Sequence, residues 1–298
     1  MKNLKGSGVA LVTPFQENGA VDYIALERVI EHVIQGGVEY LVVQGTTGET
    51  ATLTRKEKKE TLTFIKKINR SRLPIVYGIG GNNTQAVLND MEETDFSEID
   101  AILSVSPYYN KPSQMGIIAH FKKIADHCPV PIILYNVPGR TMSNIHHTTT
   151  LELSRHQNII GIKEASGNLE QCMQVANKKP HNFLLISGDD MITTLMRAIG
   201  AEGVISVIAN AYPQIMANII NGKLEDSKNS TFCLLEINPL MYEESNPVGV
   251  KCLMSHLGIC KDQVRLPLLS ASKELRSKII AAAKKIDSNQ VYSTQLHG

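Results

Sequence analysis

Short apolar runs rich in β-branched residues recur at regular intervals along the chain. Eight such runs cover residues 9–13, 40–44, 74–78, 101–105, 131–135, 159–162, 183–186 and 203–207. Each run is too apolar for a strand with one face in water, so the pattern predicts strands that are buried on both faces.

Amphipathic helical patterns lie between these runs. Residues 23–34 show the helical period with Asp22 at the N-cap position, and Thr54 and Glu57 have the spacing of a capping box. Further helical patterns cover residues 114–127, 148–155, 169–178 and 191–199. Eight strand–helix units predict an α/β protein with a (β/α)8 TIM barrel. A doubly wound open sheet is the alternative, because periodicity does not show closure.

The alternation of strands and helices ends near residue 211, and the remaining sequence has helical patterns interrupted by prolines. We expect the barrel with the active site to occupy residues 1–225. A C-terminal helical region, without an active site of its own, is expected over residues 226–298, with its last helix over residues 270–286.

The composition narrows the class of partner. A formal net charge of +1 over 298 residues, without a basic run, disfavours nucleic acid or an anionic membrane. No apolar stretch approaches the ~20 residues that span a bilayer, and the first residues lack the pattern of a secretory signal. The five cysteines are scattered and form no Cys-x-x-Cys pair, which favours buried thiols in a reducing cytoplasm over disulfides or a zinc site.

Lys163 follows the apolar run at 159–162 and precedes Glu164. Burial disfavours an ammonium, and a neutral amine can attack a carbonyl carbon to form an imine. In a barrel the working residues lie where strands run into the following loops, so Lys163 is a candidate nucleophile. The alternative is a lysine that pairs with Glu164 or reaches solvent.

Other strand ends carry side chains suited to a small carboxylate substrate. Residues 45–49 place two hydroxyls and free amides between glycines, although a turn followed by a helix cap would explain them equally. Tyr108 and Tyr109 follow the fourth run, while Tyr135 and Arg140 lie at the end of the fifth. Phenols at these positions can relay protons, and a guanidinium can bind a carboxylate through two donors.

Three further motifs give only weak indications of a dinucleotide or metal site. Residues 78–83 lack the third glycine of a dinucleotide-binding loop. His146 and His147 have no carboxylate at ligand spacing, which favours a solvated pair over a metal site. Asp189 and Asp190 suggest the N-cap of a helix more than a cation site.

Six segments taken together carry a resemblance to a known family: 45–49, 106–110, 135–141, 161–164, 187–190 and 203–207. In order and register, from about residue 6 to residue 250, the chain resembles the 4-hydroxy-tetrahydrodipicolinate synthase family, formerly called dihydrodipicolinate synthase. This family belongs to the pyruvate-dependent class I aldolases. The resemblance implies condensation of pyruvate with L-aspartate 4-semialdehyde in lysine and diaminopimelate biosynthesis.

The resemblance also implies the catalytic residues. Lys163 would form a Schiff base with pyruvate, so that no cofactor or metal is required. Tyr135 would donate and accept protons, linked through Thr46 to Tyr109, which in the family reaches in from a neighbouring subunit. A homotetramer built from two tight dimers is therefore expected.

Substrate-binding roles follow from the same resemblance. Thr47 and the backbone near Ile205 would hold the carboxylate of pyruvate, with Gly188 lining the pocket. Arg140 would bind the carboxylate of the semialdehyde.

Two alternatives to this function stay open. A sister aldolase, such as N-acetylneuraminate lyase or a keto-deoxy-sugar acid aldolase, shares the lysine and tyrosine but typically lacks the arginine, so Arg140 favours the synthase. A barrel that has lost catalysis and serves as a binding protein is disfavoured by the intact set of Thr46, Tyr109, Tyr135 and Lys163.

The chain departs from the family pattern where lysine-inhibited members bind lysine, at the interface of the tight dimer. These members use two histidines, an asparagine, a glutamate and a tyrosine. Only the asparagine and the tyrosine are retained at the matching positions, which are Arg55, Lys58, Asn82, Ala86 and Tyr108, beside Ala51. The loss of an anion and the gain of two cations predict that lysine binds weakly.

Overall fold

Eight parallel strands close into a barrel in chain order, with the last strand paired to the first. The computed structural model describes the backbone of residues 4–295 and the side chains of residues 4–287. The strands are β1 (Gly6–Ala10), β2 (Tyr40–Val43), β3 (Ile75–Gly78), β4 (Ala101–Val105), β5 (Ile132–Asn136), β6 (Ile159–Glu164), β7 (Leu184–Ser187) and β8 (Gly203–Ser206). The predicted TIM barrel is confirmed, and the open-sheet alternative is wrong.

Helices follow the strands and cover the outside of the barrel. They are α1 (Tyr23–Gln35), α2 (Arg55–Asn69), α3 (Thr84–Glu92), α4 (Gln114–His127), α5 (Pro138–Thr141), α6 (His147–Leu153), α7 (Leu169–Lys178), α8 (Thr193–Ala198), α9 (Pro213–Asn221), α10 (Leu224–Cys233), α11 (Val248–His256) and α12 (Lys273–Gln295). No helix in the described part of the chain is both long enough and apolar enough to span a membrane.

Two of the predicted helix starts are confirmed by their caps. Asp22 accepts a hydrogen bond from the Ala25 N–H at 2.9 Å. Thr54 accepts from the Glu57 N–H, and the Glu57 carboxylate accepts from the Thr54 N–H in return, which completes the capping box.

The predicted N-cap at Asp189 or Asp190 is wrong. α8 begins at Thr193, and no side chain caps it. The Asp190 carboxylate instead accepts hydrogen bonds from the Val207 and Ile208 N–H groups, at 3.1 and 3.0 Å. Asp190 therefore joins the ends of β7 and β8, and burial raises the pKa of its carboxyl.

β1 lies earlier than the predicted run at 9–13. Gly8 in this strand leaves space for the Tyr40 ring, since a Cβ on Gly8 would lie 2.2 Å from that ring. Beyond the strand, the Val12 N–H donates to the side chain of Asn210 at 3.1 Å. Residues 11–13 of the apolar run are thus buried outside the sheet.

Among the described residues the apolar core has two main parts and a small third cluster of Phe15, Val21 and Leu53. Side chains inside the barrel, among them Tyr40, Val76, Ile133 and Ile186, form one cluster. A larger cluster lies between the strands and the surrounding helices and continues into the C-terminal region. This packing on both faces explains why the strands are uniformly apolar.

The C-terminal region packs on the barrel through contacts of α10 with α8 and α9, and of α11 with the turn at Ile208–Asn210, while α12 packs on α11. The predicted boundary after residue 225 falls in the first turn of α10, and the division into two parts stays a prediction. The predicted last helix at 270–286 corresponds to α12, and residues 296–298 lie outside the described residues.

Candidate active site

Lys163 lies near the carboxyl end of β6 and is 5% exposed. Its neighbour Glu164 lies on the opposite face of the strand, as the two-residue period requires, and accepts from the side chains of Asn136 and Gln171 and from the Ser166 N–H. Burial raises the pKa of the Glu164 carboxyl, while these donors oppose that shift. The alternative of a Lys163–Glu164 pair is therefore wrong.

Tyr135 is the partner of Lys163 across the β5–β6 ladder. The Lys163 Nζ lies 4.4 Å from the centroid of the Tyr135 ring. Gly188, at the end of β7, leaves room for the lysine, since a Cβ at that position would lie 3.0 Å from the Lys163 Cε and 2.7 Å from the Ala165 Cβ. The Lys163 side chain thus lies between the Tyr135 ring and the backbone of Gly188.

Tyr135, Lys163 and Gly188 line a cavity of about 350 Å³ at the carboxyl ends of the strands. The cavity brings together six of the residues predicted from the sequence, namely Thr46, Thr47, Tyr135, Arg140, Lys163 and Gly188. Arg140 comes from the first turn after β5 and is exposed at the mouth. Among these six residues, an amine, a guanidinium, two hydroxyls and a phenol suit a small anionic substrate with a carbonyl group.

Thr46 and Thr47 lie on a single 3-10 turn after β2. Thr46 is exposed at the mouth, whereas Thr47 is 3% exposed. The Thr47 hydroxyl accepts a hydrogen bond from the Asn246 side chain at 3.0 Å, and the Gly48 carbonyl accepts from the Thr13 hydroxyl at 2.7 Å. The loop is thus a structural turn that also lines the cavity, and its role in holding a carboxylate stays a prediction.

Two predicted site residues lie outside the cavity lining. Ile205 is 1% exposed and belongs to the apolar cluster inside the barrel, while Val207, just beyond the same strand, lines the cavity. Tyr109 is 85% exposed on the surface of the single chain, with a positive φ of 74°.

The cavity includes residues that the sequence analysis missed. They are Asp189, next to Gly188, and Asn238, Tyr242 and Asn246 of the C-terminal region. The helical pattern of that region did not indicate which of its faces covers the barrel mouth. The only local signal was a polar stretch before Pro247 in otherwise helical sequence.

A wider cleft of about 1180 Å³ continues from the cavity mouth and shares Tyr135 and Arg140 with it. Five of the six residues at the predicted effector positions line this cleft, namely Ala51, Arg55, Lys58, Ala86 and Tyr108. The sixth, Asn82, donates from its side chain to the Tyr108 carbonyl at 3.3 Å.

Arg55 carries less uncompensated charge than the sequence alone indicates. Its guanidinium contacts Glu93 at 2.6 Å and Asp90 at 3.3 Å. These two carboxylates therefore offset the positive charge that Arg55 brings to the cleft.

His146 and His147 lie before and at the start of α6. Among the described residues, no group of three or more His, Cys, Asp or Glu side chains could hold a metal ion.

The sequence matches the model of the dihydrodipicolinate synthetase family over residues 3–286. A 4-hydroxy-tetrahydrodipicolinate synthase from Cytophaga hutchinsonii is 48% identical over 290 residues, which are 96% of this chain and 98% of the relative.

Solved structures that are similar to this chain include members of the same family. The 4-hydroxy-tetrahydrodipicolinate synthase of Methylacidiphilum fumariolicum SolV superposes with a TM-score of 0.94 at 33% identity, covering 99% of each chain. A DHDPS from Cyanidioschyzon merolae, solved with lysine bound, has a TM-score of 0.91 at 32% identity and covers 95% of this chain and 98% of its own.

Proposed function

The chain belongs to the dihydrodipicolinate synthetase family, and we propose that it condenses pyruvate with L-aspartate 4-semialdehyde to give 4-hydroxy-tetrahydrodipicolinate. The product would serve lysine and diaminopimelate biosynthesis. The observation that carries this proposal is the buried amine of Lys163, which lies beside the Tyr135 ring in a cavity with Arg140 at its mouth.

In the first step the Lys163 Nζ attacks the keto carbon of pyruvate, and loss of water gives an imine. The protonated imine withdraws electrons, so the methyl group can lose a proton and become an enamine. This covalent group replaces a cofactor as the electron sink, and the route needs no metal. Among the described residues Lys163 makes no ion pair, which leaves its amine available for the substrate.

In the second step the enamine carbon attacks the aldehyde carbon of the semialdehyde, and the aldehyde oxygen takes a proton. The amino group of the semialdehyde then attacks the imine carbon, which closes the ring and releases Lys163. One water is lost overall, in imine formation. Tyr135, partnered with Lys163 across the ladder, is suited to move the protons.

Groups on two sides of the cavity would orient the two substrates. Thr47, with the backbone near Ile205 and Val207, would hold the carboxylate of pyruvate beside Lys163. Arg140 would bind the carboxylate of the semialdehyde through two parallel donors. Its exposed position at the mouth supports a role toward the substrate that enters second.

The proton relay requires a second subunit in this proposal. Thr46 lies at the mouth, and Tyr109 does not line the cavity of its own chain. The Tyr109 phenol, which lies after β4, is exposed. Its exposure supports a place for Tyr109 in the active site of a partner subunit, within a tetramer of two tight dimers. A cytoplasmic location remains a prediction from the sequence.

The effector cleft is proposed to bind lysine weakly. Ala86 offers no carboxylate to the ammonium of lysine, and Arg55 and Lys58 replace the two imidazoles. The remaining residues, Asn82 and Tyr108, are joined to each other by a hydrogen bond.

A substrate comparison tests the function. The protein is incubated with pyruvate and L-aspartate 4-semialdehyde, and separately with N-acetylneuraminate and with a keto-deoxy-sugar acid. We expect turnover of the first mixture only. Cleavage of either sugar acid at a higher rate would assign the chain to a sister aldolase, and absence of all turnover would support a binding protein.

A further inference from the structure

Glu49 ends the turn that carries Thr46 and Thr47, and it forms a buried ion pair with Lys251 of α11. The distance from the Lys251 Nζ to the Glu49 Oε1 is 2.5 Å, and the two side chains are 0% and 2% exposed. The Lys251 Nζ also donates to the Gln263 carbonyl at 2.9 Å, while the other Glu49 oxygen accepts from the Arg265 N–H at 3.0 Å. Both charged groups thus have partners without water.

The turn itself needs external support. Gln44 and Glu49, which flank the two threonines, have φ values of 57° and 53°, in the left-handed region that is unfavourable for residues other than glycine. Such a conformation persists only where contacts from outside the loop hold it. Within the turn, the Glu49 N–H donates to the Thr46 carbonyl at 3.0 Å, so a displacement of Glu49 is transmitted to Thr46.

The C-terminal region supplies these contacts at two points. Asn246, just before α11, donates to the Thr47 hydroxyl at 3.0 Å, and Lys251 holds Glu49. Burial lowers the pKa of the Lys251 ammonium, and the Glu49 carboxylate opposes that shift. A second cation, Arg265, packs with Lys251 against the Phe15 ring, at 4.4 and 4.3 Å from its centroid.

We propose that Glu49 and Lys251 are a positioning pair, which fixes the threonine turn against α11 and thereby sets the places of Thr46 and Thr47 in the cavity. The consequence for catalysis rests on the proposed function, in which Thr46 serves the proton relay and Thr47 binds pyruvate. Arg140 lies on a different strand end, so the pair does not position the semialdehyde.

The test variant is Glu49→Gln with Lys251→Met. It removes both charges together, because a single substitution would leave a buried charge without its counter-ion and could prevent folding. The matched control is Lys179→Met with Glu202→Gln. Lys179 there contacts Glu202 at 3.0 Å and the Phe183 carbonyl at 2.7 Å, at the opposite end of the barrel.

The first readout is hydrogen exchange in the protein without substrate. We expect the peptide covering residues 45–53 to exchange about tenfold faster or more in the Glu49–Lys251 variant, and at the wild-type rate in the control, since tertiary contacts govern local opening. Unchanged exchange in this peptide would overturn the proposal. The result does not depend on any activity, so it stands even if the proposed function fails.

The second readout is the steady-state rate. A displaced relay and carboxylate site should lower kcat roughly 10- to 100-fold and raise the KM for pyruvate. The KM for the semialdehyde should stay within about twofold, a split that general destabilisation would not produce. A variant with wild-type kcat and pyruvate KM, or with both KM values raised equally, would contradict the positioning role.

Discussion

Arg140 and Lys163 line one cavity from different strand ends, so substitution can separate their contributions. Lys163 is buried beside Tyr135, where it can meet only a substrate that has fully entered. Arg140 lies at the mouth, where its guanidinium can reach the second substrate. Because Lys163 and Arg140 occupy different parts of the site, we expect that loss of Arg140 leaves imine formation intact.

We therefore predict that Arg140→Ala still traps pyruvate but uses the semialdehyde poorly. The loss of a charge-paired bidentate contact costs on the order of 2 kcal/mol or more, which is about a 30-fold fall in kcat/KM for the semialdehyde. Arg140→Lys keeps the charge without the planar fork and should recover only part of the activity. Loss of imine trapping in Arg140→Ala would mean that the role is misassigned.

The site residues that the sequence could predict are those at strand ends. Tyr135 ends an apolar run, Lys163 and the threonines of residues 45–49 follow such runs, and the barrel places these ends on one face. Asn246 and Lys251 could not be predicted in the same way. They approach the site through the packing of α11, which depends on contacts far apart in the sequence.

Among the secondary-structure elements, the hydrophobic pattern predicts all eight strands but does not predict α3. This helix buries only Val87, Leu88 and Met91 among polar residues, too few to stand out as an apolar stripe. Its clearest signal is Asn83, whose side chain accepts from the Gln85 and Ala86 N–H groups. Short helices held mainly by a cap and by tertiary contacts are weakly encoded in periodicity.

One contact of α3 predicts a pH dependence of stability. The Thr84 hydroxyl and the His120 Nδ1 of α4 lie 2.9 Å apart, and burial lowers the pKa of His120 to about 4. The unfolded chain, with a histidine pKa near 6.5, then binds the proton more readily, so stability falls as the pH drops from about 6.5 toward 4.

We expect this histidine to remove about 2 kcal/mol of unfolding free energy between pH 7 and pH 4.5. His120→Gln, which can still accept from Thr84, should lose correspondingly less over the same interval. Urea denaturation of both proteins at the two pH values measures the difference. Equal losses in the two proteins would show that His120 does not titrate as its burial implies.

At the scale of the whole molecule, Tyr109 is 85% exposed in the single chain, although the proposal assigns it to the proton relay. We predict that Tyr109→Phe and Lys163→Ala are each nearly inactive alone. Mixed after subunit exchange, they should regain activity, because one hybrid site contains both wild-type groups. Mass spectrometry of the intact assembly verifies exchange, and exchange without recovery would disprove a shared site.

Weak regulation by lysine is the second prediction at this scale. The cleft lacks a carboxylate at Ala86 and contains Arg55 and Lys58 in place of imidazoles, so lysine at about 1 mM should inhibit by less than half. The triple variant Ala86→Glu, Arg55→His and Lys58→His is the matched control and should gain sensitivity. Half-inhibition of the wild type well below 1 mM would contradict this prediction.

The proposed function depends above all on a covalent imine between Lys163 and pyruvate. The most direct measurement is borohydride reduction of the protein in the presence of pyruvate, followed by peptide mass spectrometry, with Lys163→Met as the control. We expect one reduced three-carbon adduct per chain, on Lys163, and none in the control. An adduct on another lysine, or no adduct in a protein that turns over both substrates, would contradict the account.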